Sequence, residues 1–129
     1  MNLRLDAAQP YVLAAMRIGL GLVILSFGMA KVFGLHAGRF TVETGSLAWI
    51  GGGLELVLGF FFLVGFKTRL SAFLLSGEMA VAYFLVHFPI SFFPTENEGY
   101  AAAVYSLVFL YFVTSGPGPL SIDRKVPAE

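Results

Sequence analysis

Residues 51–62 read GGGLELVLGFFF, and Glu55 is the one charged side chain among them. A continuous apolar run lacks the alternation of a barrel strand and favours a helix that lies in lipid. The run belongs to an apolar segment over residues 47–66, close to the ~20 residues that cross a hydrocarbon layer of ~30 Å. The stretch therefore predicts a transmembrane helix with a carboxylate inside it.

The composition of the whole chain agrees with a membrane protein. Of its 129 residues, 57% are hydrophobic and 12% are charged, and the mean hydropathy is +0.81, whereas about a quarter of the residues in soluble domains are charged. The formal net charge is zero and no basic run is present, which argues against nucleic acid as a partner. The chain has no cysteine, so any redox role needs a borrowed cofactor.

Three further apolar segments have similar lengths, and polar breaks separate them. The four predicted spans cover about residues 11–33, 47–66, 70–88 and 100–115. GPGPLSID, residues 116–123, ends the last span because proline lacks an amide donor and glycine disfavours a helix. The first segment is too long for the core of a signal peptide, so we expect it in the mature protein. The predicted fold is an all-α transmembrane four-helix bundle, one domain over residues 1–129.

Cationic loop residues predict the orientation of this bundle. Four crossings place both termini and the 65–70 turn on one side, and cytoplasmic loops carry an excess of Lys and Arg. That side holds Arg4, Lys67, Arg69, Arg124 and Lys125, whereas the opposite side holds Lys31, Arg39, Glu43, Glu96 and Glu98. We expect both termini to be cytoplasmic and the protein to be a multi-pass protein of the inner membrane.

Three ionisable residues fall well inside the predicted spans. At 1.5 Å per residue, Glu55 lies roughly 16 Å, Glu78 roughly 13 Å and Arg17 roughly 9 Å from the same predicted boundary. A buried charge without a partner costs several kcal/mol, so we expect Arg17 to pair with Glu55. One cation would then face two carboxylates, and we expect one of them to be protonated at neutral pH, which makes these three residues a candidate proton or charge centre. The alternative is a purely structural pair that sets the register of the helices.

Helical spacing predicts which faces turn inward. Glycines flank Glu55 at positions 51 and 59 and follow Arg17 at positions 21 and 28, which permits a close approach of neighbouring helices. We expect the three phenylalanines at 60–62 to contact lipid. One face of the fourth span carries two phenols and would line the same interior: Tyr100, Val104, Leu107 and Tyr111.

A second set of polar residues lies near the outer ends of the spans. Lys31 ends the first span and His87 ends the third, while His36 lies in the first outer loop. We take Lys31, His87 and Tyr111 as candidate ligand-binding residues, although a lysine near the headgroups can simply extend its ammonium into them. The histidines lack HExxH spacing, and haem ligation would require His36 to meet His87, so no metal site is predicted.

Three stretches of the chain resemble the DoxX family of small four-span membrane proteins. They are RIGLGLVILSFGMAKVFG (17–34), GGGLELVLGFFFLVGFKTRLSAFLL (51–75) and GYAAAVYSLVFLYFVTSGPGPLSID (99–123). By position, the resemblance extends to Arg17, Lys31 and Glu55, and more weakly to Glu78, where hydrophobic or small residues also fit the pattern. It also extends to the ending, with Gly116, Pro117, Gly118, Ser121 and Asp123.

The resemblance implies two classes of function. Proteins that resemble DoxX are linked to quinone-coupled sulfur oxidation and to membrane oxidoreductase assemblies that handle thiol or oxidative stress. In the first class the chain is the membrane subunit of such an assembly: Arg17 orients Glu55, and Glu55 or Glu78 exchanges a proton with a bound quinone whose ring Tyr111 holds. A soluble partner would supply the electrons, and no covalently bound cofactor is implied.

In the second class the chain is a noncatalytic anchor or organiser. Its ending, residues 116–123, and its basic loops would then recruit a soluble enzyme. A small-solute carrier is less favoured, because no inverted repeat or broken helix is evident. The glycine faces also leave a homo-oligomer open, since they could pack within one bundle or between two.

Overall fold

The computed structural model describes residues 2–38 and 41–125, and every regular element in these ranges is helical. Arg39, predicted in the first outer loop, lies outside the described residues. The helices are α1 (Asn2–Phe33), α2 (Leu47–Val64), α3 (Thr68–Ala82), α4 (Pro94–Asn97) and α5 (Tyr100–Ser115), and α3 continues as a π-helix over Tyr83–His87. The predicted four-helix bundle is confirmed, with α4 as an added short turn between its last two members.

Three of these helical stretches are long and apolar enough to cross a membrane, namely Arg4–Phe33, Leu47–Val64 and Thr68–His87. The apolar α5 is shorter: its 16 residues extend ~24 Å. The first helix begins at Asn2 and not at residue 11 as predicted, and Pro10 lies inside it. The more polar residues before position 11 include alanine and leucine, which favour helix. The helix therefore begins before the apolar segment.

Glycines bring α1 and α2 into close antiparallel contact. A Cβ atom on Gly21 would lie 2.8 Å from the Cα of Leu63, and one on Gly28 would lie 2.9 Å from the carbonyl oxygen of Gly52. The predicted role of small residues is therefore confirmed for the packing between these two helices. The other close pair is α3 with α5, and α2 contacts α3 less extensively.

An aromatic core joins the two pairs of helices. The ring of Phe62 on α2 meets Phe109 and Phe112 of α5 edge to face, with ring centroids 5.0 Å and 4.9 Å apart. The prediction that Phe62 contacts lipid is wrong, because its side chain is fully buried. Residues of α1 and α3 complete this core: Leu13, Ile24, Ala72, Leu75 and Met79.

The predicted inward face of α5 is also wrong. Tyr100, Val104, Leu107 and Tyr111 are each at least half exposed. The true inner face carries Phe109 and Phe112 instead, because α5 docks on α3 and α2 through its largest apolar rings. Burying those rings removes more apolar surface from the outside than burying two phenols that need hydrogen-bond partners.

The bundle has two distinct ends. At the clasp end, residues 116–125 fold back against the 65–68 turn, with Ile122 N donating to Val64 O and Asp123 N donating to Gly65 O. At the loop end lie the connection after α1 and the 88–99 loop. One end of the bundle therefore holds the 65–68 turn, the start of α1 and the C-terminal segment, as the four crossings predict.

Candidate functional site

The buried carboxylate of Glu55 pairs with Lys31. Lys31 Nζ lies 2.8 Å from Glu55 Oε1, and the two side chains are 21% and 2% exposed. Side chains of a helix lean toward its N-terminus, so Lys31, in the last turn of α1, extends its ammonium down into the bundle. Gly52 makes this approach possible, because a Cβ there would lie 2.6 Å from the Cβ of Lys31.

Glu78 on α3 is the third member of this cluster. It interacts electrostatically with both Glu55 and Lys31, and Gly51 leaves the space that its Oε1 approaches. Two carboxylate oxygens, Glu55 Oε2 and Glu78 Oε2, are buried and have no hydrogen-bond partner among the described residues. We call Lys31, Glu55 and Glu78 the acidic cluster, since one ammonium there faces two carboxyl groups.

The predicted pairing of Arg17 with Glu55 is wrong. Arg17 is fully buried, but its guanidinium donates to backbone carbonyls: Nη1 to Pro117 O at 2.6 Å, Nη2 to Leu120 O at 2.7 Å and Nε to Leu63 O at 3.4 Å. Leu63 is eight residues from Glu55, which is ~12 Å along a helix. The depth argument failed because the glycine contacts between α1 and α2 set a register that places Lys31 beside Glu55 and Arg17 beside Leu63, near the end of α2.

The ending that resembles the DoxX pattern forms a structural clasp around Arg17. Asp123 accepts hydrogen bonds from Lys67 N at 2.8 Å and Thr68 N at 2.9 Å, at the first turn of α3. Burial alone would raise the pKa of Asp123, but these backbone amides and the positive charge of Arg17 lower it below its ordinary value. The Asp123 carboxylate thus satisfies amides that a helix start leaves unpaired.

Arg69 forms the second half of the clasp. Its Nη1 donates to Val113 O at 2.8 Å and Thr114 O at 2.6 Å, the last carbonyls of α5. Gly116 follows with φ 75°, and a Cβ there would lie 3.0 Å from Arg69 Nη2. A cation at a helix C-terminus is favourable because unpaired carbonyls gather there.

The two remaining predicted ligand-binding residues lie away from the acidic cluster. His87 Nδ1 donates to the carbonyl of Asn97 at 2.9 Å, and the amide of Asn97 donates to Ser91 O at 2.8 Å. This network folds the 88–99 loop at the loop end. The side chain of Tyr111 is 50% exposed on the outer surface of α5, so it does not line the interior.

Sequence reasoning missed Lys31 as the partner of Glu55 and Asp123 as the cap of α3. The first could have been found by sliding α1 against α2 until their glycines matched, since Gly28 meets Gly52 and Gly59 meets Ile24. The second had no local signal, because Asp123 is 55 residues from the amide of Thr68 that it binds. Among the described residues, no group of three His, Cys, Asp or Glu side chains could hold a metal ion.

Comparison with known proteins places this architecture in a family. The family model described as DoxX matches residues 12–88, which contain all three members of the acidic cluster. A Haemophilus influenzae protein described as uncharacterized is 38% identical over 128 residues, with 94% of this chain and 95% of the relative covered.

A second Haemophilus influenzae protein, also described as uncharacterized, is 28% identical over 88 residues, with 67% of this chain and 58% of the relative covered. No solved structure matches the chain significantly. The apolar helices and the family match together identify a multi-pass protein of the lipid bilayer. This chain belongs to the DoxX family of small membrane proteins.

Proposed function

We propose that the protein is the membrane subunit of an oxidoreductase assembly, and that its acidic cluster exchanges protons with a quinone. The single observation that carries this proposal is the pair of buried, unpartnered oxygens, Glu55 Oε2 and Glu78 Oε2, beside one ammonium. Buried polar atoms without partners are costly. Ionisable groups inside a membrane span mark proton or substrate pathways more often than they mark packing.

The three side chains suit different tasks. Lys31 holds Glu55 through a direct ion pair at 2.8 Å, so Glu55 is the better acceptor. Glu78 has no such direct pair among the contacts described, so in this proposal Glu78 is the proton donor. A protonated Glu78 can donate a hydrogen bond to a carbonyl oxygen, and it can return to that form by taking a proton from water.

The unpartnered carboxyl oxygens could hydrogen-bond with a quinone, which carries carbonyl groups. A quinone that accepts two electrons also takes up two protons, and in this proposal Glu78 delivers them one after the other, taking a proton from water after each transfer. The chain has no cysteine to supply electrons through a thiol pair, so a partner protein supplies them in this proposal. Glu78 would donate to the carrier and Lys31 would keep the anionic Glu55 in place.

The clasp end favours a second candidate function, that of an anchor for a soluble partner. Leu120 is 75% exposed with φ 58°, and Ile122 is 41% exposed. Together with Val64 they line a shallow groove of about 340 Å³, which Arg124 and Lys125 border. An apolar surface bordered by cations fits an acidic partner, and we propose that this end and both termini are cytoplasmic.

Infrared spectroscopy of the purified protein tests the first function. A short-chain ubiquinone analogue is added in mild detergent and reduced electrochemically. We expect a reduction-induced change in the carboxylic acid band. Glu78→Gln, which removes the proposed proton donor, should lose it, and Glu55→Gln, which removes the neighbouring carboxylate, should shift it. Glu96→Gln, at an exposed loop position, is the matched control and should keep it; an unchanged band in Glu78→Gln and Glu55→Gln would rule out the cluster as the proton source.

Pull-down from native membranes tests the anchor function. Deleting residues 116–129 is a poor variant because it also removes the carbonyls that Arg17 binds. The better variant combines Leu120→Ser with Arg124→Gln and Lys125→Gln, which changes only exposed side chains. A soluble protein retained by the native chain but lost from this variant would support an anchor, and retention by both would contradict it.

A further inference from the structure

The acidic cluster is asymmetric in its exposure. Lys31 lies in the last turn of α1, and its side chain is 21% exposed whereas that of Glu55 is 2% exposed. Lys31 therefore connects the buried carboxylate with the loop end. A lysine at this height could extend its ammonium to the headgroups, but here it turns inward and spans the distance between surface and carboxylate.

The path from the cluster to the clasp end is closed by apolar packing. Phe62 lies seven residues beyond Glu55 on α2, ~10 Å along the helix, and its ring meets two rings of α5 edge to face. Every residue of this layer is 0% exposed: Ile24, Phe62, Leu75, Phe109 and Phe112. Apolar side chains without any exposed surface form a dry layer, which argues against a chain of water molecules through it.

Hydroxyls near this layer hydrogen-bond to backbone carbonyls, and Ser76 Oγ also lies 3.3 Å from Ser106 Oγ. Ser76 and Ser106 bind each other's backbone: Ser76 Oγ donates to Ser106 O at 2.8 Å, and Ser106 Oγ donates to Ser76 O at 2.9 Å. On α5, the helix packed against α3, Tyr105 packs against the hydrophobic core. On the π-helix, Tyr83 donates to Phe92 O at 2.9 Å within the 88–99 loop.

We infer that the acidic cluster exchanges protons with water at the loop end alone, through Lys31, and that the membrane protein does not conduct protons from one face to the other. The inference rests on the proposed proton exchange of the same cluster. It assigns the source of the protons: a carrier that binds there takes protons from the loop-end face, even when its electrons arrive from a partner at the clasp end.

Single cysteine variants test this inference cleanly, because the chain has no cysteine of its own. A membrane-impermeant methanethiosulfonate is applied to one face of sealed vesicles at a time. Glu43→Cys and Lys67→Cys occupy exposed positions at the two ends, so they identify the face that is being labelled. We expect Lys31→Cys to react only from the face that labels Glu43→Cys, and Leu75→Cys to react from neither.

Three outcomes would overturn the inference. They are labelling of Lys31→Cys from the face that labels Lys67→Cys, labelling of Leu75→Cys from either face, and a lack of labelling of Lys31→Cys from both. None of them requires a quinone, so this test can fail while the infrared experiment succeeds, and the reverse can also occur.

A second measurement uses the native chain, in case Lys31→Cys does not fold. A water-soluble carbodiimide modifies protonated carboxyl groups, and mass spectrometry locates the modified residue. We expect modification of Glu78 or Glu55 when the reagent is applied from the loop-end face and loss of that modification when it is applied from the clasp-end face. Equal modification from the two faces, or modification from the clasp-end face alone, would contradict one-sided access.

Discussion

At the scale of single residues, Arg17 and Lys31 are two cations on one helix that have different roles. The planar guanidinium of Arg17 carries five donors and satisfies carbonyls from two separate chain segments. The ammonium of Lys31 is a point charge on a flexible stem and meets one carboxylate oxygen. Arg17 therefore stabilises the clasp, whereas Lys31 belongs to the acidic cluster.

Replacing Arg17 by lysine should destabilise the protein although the charge is kept. One ammonium cannot reach Leu63, Pro117 and Leu120 together, and carbonyls left buried without donors cost about 1–3 kcal/mol. We expect Arg17→Lys to lower the free energy of unfolding by about 2 kcal/mol, measured by denaturant unfolding in mild detergent. Arg4→Lys, at an exposed position of the same helix, is the control. Equal stability of the two variants would show that the several hydrogen bonds of the Arg17 guanidinium do not stabilise the fold.

Removing Lys31 should destabilise the protein through the carboxylate that it leaves behind. Breaking a buried ion pair by deleting one partner costs about 3–5 kcal/mol, whereas removing both charges costs less. We expect Lys31→Met to be less stable than the double variant Lys31→Met/Glu55→Gln, in a double-mutant cycle read by thermal unfolding. Lys67→Met, at an exposed position, should change little, and a double variant that is the least stable of the set would contradict the pairing.

At the scale of helices, register between α1 and α2 decides where each charge lies. Two glycines on each helix remove the side chains that would hold the backbones apart: Gly21 and Gly28 on α1, and Gly52 and Gly59 on α2. Their matching brings Lys31 beside Gly52 and thereby within reach of Glu55. The ion pair thus depends on the packing of backbone against backbone.

A methyl group should therefore be tolerated on one face of α1 and not on the other. A Cβ on Gly28 would lie 2.9 Å from the Gly52 carbonyl oxygen, whereas a Cβ on Gly19 would meet nothing within 4 Å. We expect Gly28→Ala to lower the free energy of unfolding by about 1–3 kcal/mol. Gly19→Ala, the matched control, should be neutral or stabilise by up to about 1 kcal/mol; the reverse order in a thermal unfolding series would rule out this packing.

The start of α3 depends on a distant segment of the chain. Lys67, which precedes the helix, has φ 47° and provides no side-chain cap. Asp123 binds the free amides instead. A carboxylate at a helix N-terminus is favourable both as an acceptor and through the helix dipole, so the C-terminal segment and α3 stabilise each other.

This contact should depend on pH in one direction. The folded-state pKa of Asp123 is lowered, so its contribution is present above the ordinary aspartate pKa of about 3.9 and is lost as the pH falls through the lower folded value. We expect proteolysis of the C-terminal segment to accelerate below about pH 4. Asp123→Asn should show faster proteolysis by about fivefold at neutral pH, as loss of ~1 kcal/mol implies, and no such acid step; an acid step of the same size in this variant would assign it elsewhere.

At the scale of the whole molecule, the two ends of the bundle carry different chemistry. The clasp end uses Arg17, Arg69 and Asp123 to join helix ends with backbone groups. Lys31, the partly exposed member of the acidic cluster, lies in the last turn of α1 near the loop end. The aromatic layer around Phe62 separates them, so binding of a partner at the clasp and proton exchange at the cluster can proceed on opposite sides.

Fusion reporters test how these ends lie in the cell. A reporter attached after Glu129 should be active if it requires the cytoplasm and inactive if it requires export, because the clasp end holds most of the Lys and Arg residues. A reporter inserted after Glu43 should show the opposite pattern. Activity of the export reporter at Glu129 would show that the orientation is the opposite of the proposed one. It would not bear on the contacts within the clasp.

Composition and apolar length were enough to predict the membrane setting, the all-helical fold, the order of the four long helices and the presence of one cation among buried carboxylates. These properties follow from local composition and from the apolar length that a bilayer requires. The pairing of Glu55 with Lys31, and not with Arg17, could be seen only once the helices were packed. The cation that pairs with Glu55 depends on the register of α1 against α2. Glycines far apart in the sequence and the clasp around Arg17 set this register together. For the same reason the inner face of α5 could not be predicted: which rings are buried depends on the helix that it docks against.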